Sequence, residues 1–188
     1  MTTRQKHDHT DDLRILAVRS RKDLKRFIRV PWAIYADDPC WVAPILFERK
    51  EHMSEKNPYF RHAKWQAWVA FRNGKPVGRI SAQVDQLRLD RLQDDTGLFG
   101  FLEAIDDPAV FRLLHETARD WLKAHGMKRI QGPFNFSIND ECGLLVDGFD
   151  RPPSVMMGHA RPYYAGRIEA LGYDKAKDLL AYRLKMDF

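Results

Sequence analysis

The sequence predicts an α+β (mixed α/β) fold: a mixed, mostly antiparallel sheet with a central parallel βαβ pair and helices on both faces. Three observations carry that expectation. Gly97 to Ser137 reads as an apolar run, a well-punctuated helix and a second apolar run, within the roughly 40 residues that suit a βαβ unit. Lys64–Phe71 and Pro76–Val84 are strand-like runs on either side of Asn73-Gly74, a pair that tolerates the positive φ of a tight hairpin turn. Near the C-terminus, Leu180, Tyr182, Leu184 and Met186 alternate with less apolar neighbours, the pattern of a half-buried strand.

In chain order, residues 1–12 are polar and without periodicity, which predicts a mobile tail and leaves 13–188 as one domain with a sizeable core. His7-Asp8-His9 has metal-ligand chemistry, but in a tail its ordinary state is solvated. Leu13–Arg19 is a short strand. Ser20 with Asp23 resembles a capping box, and Leu24, Phe27 and Ile28 give the following helix an apolar stripe. Arg21, Lys22, Lys25, Arg26 and Arg29 form its other face. No exposed aromatics interleave with these bases, so the face reads as solvated and not as a nucleic-acid patch. Pro31 has no amide hydrogen and is expected to interrupt or restart the helix. Residues 39–64, rich in proline, aromatics and charge, suit an irregular or short-helical segment over a groove. Gln86–Thr96 reads as a connection or a frayed strand end.

In the central unit, Phe99, Phe101 and Ile105 fall on one face of the first strand and Leu98, Leu102 and Ala104 on the other, so both sides are covered. Asp107 is placed to cap the following helix, with Pro108 at its first position and Gly126 just past its end. Val110, Phe111, Leu114, Ala118, Trp121 and Leu122 recur at helical spacing, which puts His115 on the polar face as a surface residue. Ile138–Ala160 is loop-rich. Tyr163–Leu171 reads as a short helix stopped by Gly172.

No run approaches transmembrane length and the N-terminus lacks the apolar core of a signal peptide, so a cytoplasmic location without a membrane partner is expected. Cys40 and Cys142 are too few and too far apart for a disulfide framework or a zinc site. The net charge of +5 is only a weak pull on polyanions. There is no Gly-x-Ser-x-Gly nucleophile elbow, and neither His115 nor His159 has a triad context.

The element order from Leu13 onward resembles the GNAT superfamily of acyl-CoA-dependent N-acyltransferases. Ile168-Glu169-Ala170-Leu171-Gly172-Tyr173 is similar to the ending of that superfamily's last helix. The run Gly132-Pro133-Phe134-Asn135-Phe136-Ser137 through Glu141, with Gly143-Leu144-Leu145-Val146 after it, resembles a stretch of larger bacterial GNAT-like proteins whose chain continues into a further domain. The resemblance implies acyl transfer, acetyl above all, from acetyl-CoA or another acyl-CoA to a small-molecule or protein amine, with no metal. It implies that Leu102, Glu103, Ala104 and Ile105 line the pantetheine and phosphate path, and that Asn135 faces the cleft from the second strand. Asn139 and Glu141 become candidates for holding the acceptor.

Two positions depart from the superfamily pattern. Its pyrophosphate loop is glycine-rich, whereas Ala104-Ile105-Asp106-Asp107-Pro108 has no glycine and two carboxylates, which oppose a phosphate. Ile168 stands where a tyrosine often protonates the leaving thiolate; Tyr164, one turn earlier, is the candidate substitute, or else a packing residue with a satisfied hydroxyl. Glu103 is the candidate proton acceptor, or else a strand-end carboxylate paired with a base. Two functions therefore stay open: an acyl-CoA-dependent acyltransferase, or a GNAT-shaped interaction module without CoA chemistry.

Overall fold

The computed structural model describes residues 12–182 and 184; the tail up to residue 11, with His7, Asp8 and His9, and the terminal Met186 lie outside them. Five strands, β1 (Leu13–Ala17), β2 (Ala63–Arg72), β3 (Lys75–Asp85), β4 (Thr96–Ala104) and β5 (Arg129–Gln131), form one sheet in that order. Every neighbouring pair is antiparallel except β4 and β5, which run parallel. The hairpin turns at Asn73 and Gly74, with φ of 50° and 77°.

Helices cover both faces. Alternate residues of β2 divide the core: Ala67, Val69 and Phe71 pack with Phe27, Ile28 and Val30 of α1 (Arg21–Ile34). Trp68 and Ala70 pack with Val110, Phe111, Leu114 and Leu122 of α4 (Pro108–Ala124) on the other side. The period of two in the strand is what separates the two cores. Both helix starts follow from their caps. Ser20 Oγ accepts the Asp23 amide at 3.2 Å, and Asp107 Oδ1 accepts the amides of Ala109 and Val110 at 2.7 and 3.4 Å.

Four elements differ from the sequence reading. α1 runs without a break through Pro31. The carbonyl of Phe27, which the absent Pro31 amide would have served, instead accepts Arg79 Nη1 at 3.1 Å, so the helix loses no bond there. Gln86–Leu92, read as a connection, is a short helix, α3, because Asp85 at the end of β3 caps it through the amides of Leu87 and Arg88. The segment before β2 carries another, α2 (Leu46–His52), followed by a 3₁₀ turn at Pro58–Arg61.

The third difference lies within β4. Arg79 of β3 pairs with Glu103, but Ser81, two residues on, pairs with Gly100, three residues back, so β4 carries one extra residue. Phe101 takes it up with φ of +48°. The bulge reverses the faces beyond it: Phe99, Leu102 and Ala104 all pack toward α4, while Phe101 packs toward α1. Phe99 and Phe101 therefore do not share a face as simple alternation predicts.

After β5 the backbone presses directly onto β4. A Cβ on Gly100 would stand 1.7 Å from the Phe134 carbonyl oxygen, and one on Gly132 would stand 2.4 Å from that of Phe99, so both contacts need glycine. Phe136 then anchors the chain in the α1 core, ringed by Tyr59, Phe60, Trp65 and Phe101. α5 (Tyr164–Glu169) closes the α4 side. The final strand expected at Leu180–Met186 is absent among the described residues: Leu180, Tyr182 and Leu184 are exposed and carry no ladder. Alternation marks one apolar side of a segment but supplies no neighbouring strand to hold it. Among the described residues no helix is long and apolar enough to cross a membrane.

Candidate functional site

The β4–β5 ladder ends at Leu98 and Gln131; the Phe134 amide then donates to the Phe99 carbonyl at 2.7 Å, and past that contact the edge of β4 is met by side chains. The Phe101 amide, freed by the bulge, donates to Asn135 Oδ1 at 2.7 Å. The Ala104 amide donates to the Tyr164 hydroxyl at 2.9 Å, and the Tyr163 hydroxyl donates to the Ala104 carbonyl at 2.8 Å. A cleft opens at this edge, lined among others by Leu102, Glu103, Asn135, Glu141, His159 and Tyr164.

Glu103 organises the floor of the cleft. Its Oε2 accepts from the hydroxyls of Tyr35 at 2.6 Å and Tyr164 at 2.9 Å, and its Oε1 lies 3.6 Å from Arg79 Nη2. Burial raises the Glu103 pKa, while the Arg79 charge and the two hydroxyls pull against it. Burial, and then the Glu103 charge, push both tyrosines above the ordinary phenol range, so each stays a proton donor. The Arg79 guanidinium is itself sandwiched near the Phe27 and Phe101 rings, 5.0 and 5.8 Å from their centroids.

A second ion pair lies on the opposite wall. Asn135 Nδ2 donates to Glu141 Oε2 at 2.8 Å, the Asn135 amide donates to the Glu141 carbonyl at 2.8 Å, and Arg49 from α2 holds the other Glu141 oxygen. Asn135 thus couples the β4 bulge to α2. His159 faces the same cleft, with Nε2 held 2.9 Å from Asp38 Oδ2 and its ring against Tyr35.

Five sequence candidates therefore meet around one cleft: Leu102, Glu103, Asn135, Glu141 and Tyr164. Three do not line it. Ala104 is buried with both backbone groups held by tyrosines, Ile105 packs between the two cores, and Asn139 is exposed with its amide on Ser137 Oγ. Sequence reasoning missed Tyr35, Arg49, Arg79 and the Asp38–His159 pair. Arg79 left a signal, a lone charge inside the apolar run Val77–Val84; the others come from distant segments and left none.

The start of α4 is already satisfied. Asp107 holds two of its free amides and pairs with Arg72, and Asp106 pairs with Arg167 Nε of α5 at 2.7 Å. One expectation on α4 is overturned. His115 is buried and not a surface residue: its ring meets those of Phe99 and Tyr173, and Nδ1 is 3.1 Å from the Tyr173 hydroxyl. Tyr173, beyond α5, covers what the helical wheel alone left open to solvent. Burial lowers the His115 pKa to about 4.

This sheet order, antiparallel except for the parallel β4–β5 pair and with helices on both faces, is the fold of the GNAT acetyltransferases. An aminoglycoside acetyltransferase from an uncultured soil metagenomic sample superimposes with a TM-score of 0.54 at 13% identity, covering 92% of this chain and 97% of its own. An aminoglycoside N-acetyltransferase in complex with CoA gives 0.52 at 11% identity, over 95% and 99%. In sequence the chain is similar to two larger bacterial proteins. It is 53% identical over 163 residues to Protein YghO of Escherichia coli, covering 87% of this chain and 42% of that protein. It is 50% identical over 181 residues to the bacterial ceramide synthase of Caulobacter vibrioides, covering 92% of this chain and 45% of the synthase. The chain thus spans less than half the length of either relative. No protein-family model matches it.

Proposed function

We propose that this chain carries an acyl-CoA-dependent N-acyltransferase site, and that the acceptor is a long-chain amine. The observation that carries the reading is the cleft at the β4 bulge, where Glu103, Tyr35 and Tyr164 form one hydrogen-bonded cluster on a GNAT sheet. The half-length similarity to a ceramide synthase supports the acceptor class, since a ceramide is the amide of a fatty acid and a long-chain amino alcohol. In this reading the neutral amine attacks the thioester carbonyl, the new N–C bond forms as the C–S bond breaks, and the thiolate leaves with the electron pair. Tyr164 supplies the proton that the thiolate takes up, Glu103 accepts the ammonium proton, and that proton passes along the hydrogen bond joining the two side chains to restore the Tyr164 hydroxyl. Leu102 remains on the proposed path of the pantetheine arm, which Ala104 and Ile105, packed away from the cleft, do not reach. Asn135 and Glu141 are assigned to the acceptor side, and Asn139, exposed nearby in sequence, is left without a role in the cleft.

A second reading is favoured by the β4 edge itself. Tyr163 and Tyr164 occupy both backbone groups of Ala104, and Asp106 and Asp107 stand at the start of α4. A GNAT-shaped interaction module without CoA chemistry needs no more than that. Thermal melting with acetyl-CoA, palmitoyl-CoA and free CoA, followed by thiol release in the presence of sphinganine, separates the two. Binding raises the melting temperature by mass action and turnover releases free thiol. No shift with any CoA ester at millimolar concentration leaves the interaction module.

A further inference from the structure

Two apolar edges contribute to the cleft lining, Val42 with Pro44 before α2 and Pro153 with Met157 in the segment after β5. Beyond the lining, large apolar side chains continue into solvent. Ile45 and Phe47 follow the first edge, with Phe47 71% exposed; Val155, 92% exposed, and Met156 stand on the second. Single exposed apolar residues are ordinary, but a cluster around a cleft mouth marks a contact surface.

A basic face adjoins the first edge. Arg21, Lys22, Lys25, Arg26 and Arg29 are all exposed along one side of α1, opposite the buried stripe of Phe27, Ile28 and Val30. Lys25 and Arg29 share a small recess with Leu46 and Lys50 of α2, and Phe47 is the next residue on that helix. The acids nearby are fewer: Asp23 pairs with Arg26, and Glu48 and Glu51 lie exposed on α2. The sequence alone read these bases as a solvated face because no exposed aromatic accompanied them. The fold brings α2, which carries the exposed Phe47, beside them.

We infer that the α1 basic face and the apolar rim of the cleft together form a peripheral docking surface for an anionic lipid bilayer. Phe47, Ile45 and the Val155–Met156 edge enter the headgroup and acyl boundary, while the α1 bases lie against lipid phosphates and turn the cleft mouth toward the membrane. A nucleic acid fits the rim poorly. It is gripped by stacked aromatics, whereas the exposed large apolar side chains of this rim are aliphatic apart from Phe47, and Trp41 in the lining is already packed against Trp32 and Tyr35. The surface stands independently of acyl transfer; where both hold, it gives a lipid-soluble substrate a direct route into the cleft.

Sedimentation of the full chain with vesicles tests this. Vesicles of phosphatidylcholine with phosphatidylglycerol should pull the protein down, and vesicles of phosphatidylcholine alone should bind it at least about tenfold more weakly. Added salt should weaken the anionic binding. Phe47→Asp should cost about tenfold in partitioning, and Lys25→Glu with Arg29→Glu should cost a similar factor. Both variants change exposed side chains, and unchanged melting temperatures confirm that each still folds. Equal binding to neutral and anionic vesicles, partitioning indifferent to Phe47→Asp, tighter binding to a single-stranded oligonucleotide than to vesicles, or self-association through Phe47 would each overturn the inference. None of these readouts depends on CoA, so they fail or succeed apart from the enzymatic reading.

Discussion

Arg79 of β3 donates to the carbonyl of Phe27 at 3.1 Å, taking the place of the helix amide that Pro31 lacks. The same guanidinium is the cationic partner of Glu103. One buried side chain thereby repairs α1 and neutralises the floor of the cleft. Replacing Arg79 with Met strips both at once, leaving a buried carbonyl unpaired and a carboxylate without its counter-charge. The expected loss is about 3–5 kcal/mol in urea unfolding, since breaking one side of a buried pair exposes the cost of the other. The double variant Arg79→Met with Glu103→Gln should recover part of that loss. Simple additivity of the two single changes would show that the pair is not coupled.

The contact between Gly100 and the Phe134 carbonyl makes a sharper test of the β4 architecture. A methyl group at position 100 meets backbone atoms of the following segment, which have no rotamer to yield. Gly100→Ala should therefore unfold or severely destabilise the domain, by roughly 4 kcal/mol or more, at the extreme of single substitutions. Gly166→Ala is the matched control, because a Cβ there meets nothing within 4 Å and the residue sits in α5. There the change should be neutral or mildly stabilising, as helix propensity favours alanine. Similar unfolding midpoints for the two variants would contradict the close approach of the chain after β5 to β4.

His115 contributes to the loss of stability in acid. Burial holds its folded pKa at about 4, below the 6.5 of a free imidazole. Between those values the unfolded chain takes up a proton that the native state refuses, so stability is complete above pH 6.5 and declines as pH falls toward 4. Each pKa unit corresponds to about 1.4 kcal/mol, so the full depression is of order 3 kcal/mol. Urea midpoints measured from pH 7 to 4 should fall accordingly. His115→Phe keeps a ring against Phe99 and Tyr173 and should flatten that decline, while losing the Tyr173 hydrogen bond at every pH. An unchanged slope would place the titration elsewhere.

Much of the sheet was legible because its signals are local. Asn73-Gly74 fixes the hairpin, Asp107-Pro108 starts α4, and the spacing of Val110, Phe111 and Leu114 buries its inner face. What escaped depended on partners far along the chain. Pro31 breaks a helix unless something else serves the Phe27 carbonyl, and Arg79 comes from a strand that local rules cannot relate to it. Phe101 looks like an ordinary alternating residue, because a bulge leaves no mark in composition and its freed amide is met by Asn135, 34 positions later. Glu103 was visible as a candidate, but not Tyr35, 68 residues earlier, whose hydroxyl holds it. Four of the five candidates that converge did so through β4 and the segment that follows β5, the stretch whose sequence was most distinctive; the fifth, Tyr164, comes from α5.

Tyr164 links the core to the site, and its removal should separate the two roles. The hydroxyl accepts from the Ala104 amide and donates to Glu103, so Tyr164→Phe leaves a buried amide without an acceptor. A cost of about 1–3 kcal/mol is expected from thermal or urea unfolding. If Tyr164 also protonates the leaving thiolate, turnover should drop well beyond what the folded fraction explains, with KM little changed. A proportional loss of activity and folded protein would leave the residue a structural one.

If the chain binds a CoA ester as proposed, the carboxylates before α4 bear on how its phosphates dock. Asp106 and Arg167 form a surface ion pair at the position where a GNAT phosphate would approach the helix start. An exposed pair of this kind contributes little to stability, so Asp106→Asn should leave the melting temperature nearly unchanged. It does remove one negative charge and frees Arg167 to meet an anion. The Ala109 and Val110 amides remain with Asp107, so the gain is confined to that charge. Affinity for a CoA ester should tighten by about two- to fivefold at low ionic strength, the scale of a charge acting at a helix end. The gain should shrink as salt is added, and titration calorimetry with free CoA at two salt concentrations measures both effects. Unchanged or weaker binding in Asp106→Asn would mean that any CoA phosphates lie elsewhere, away from the start of α4.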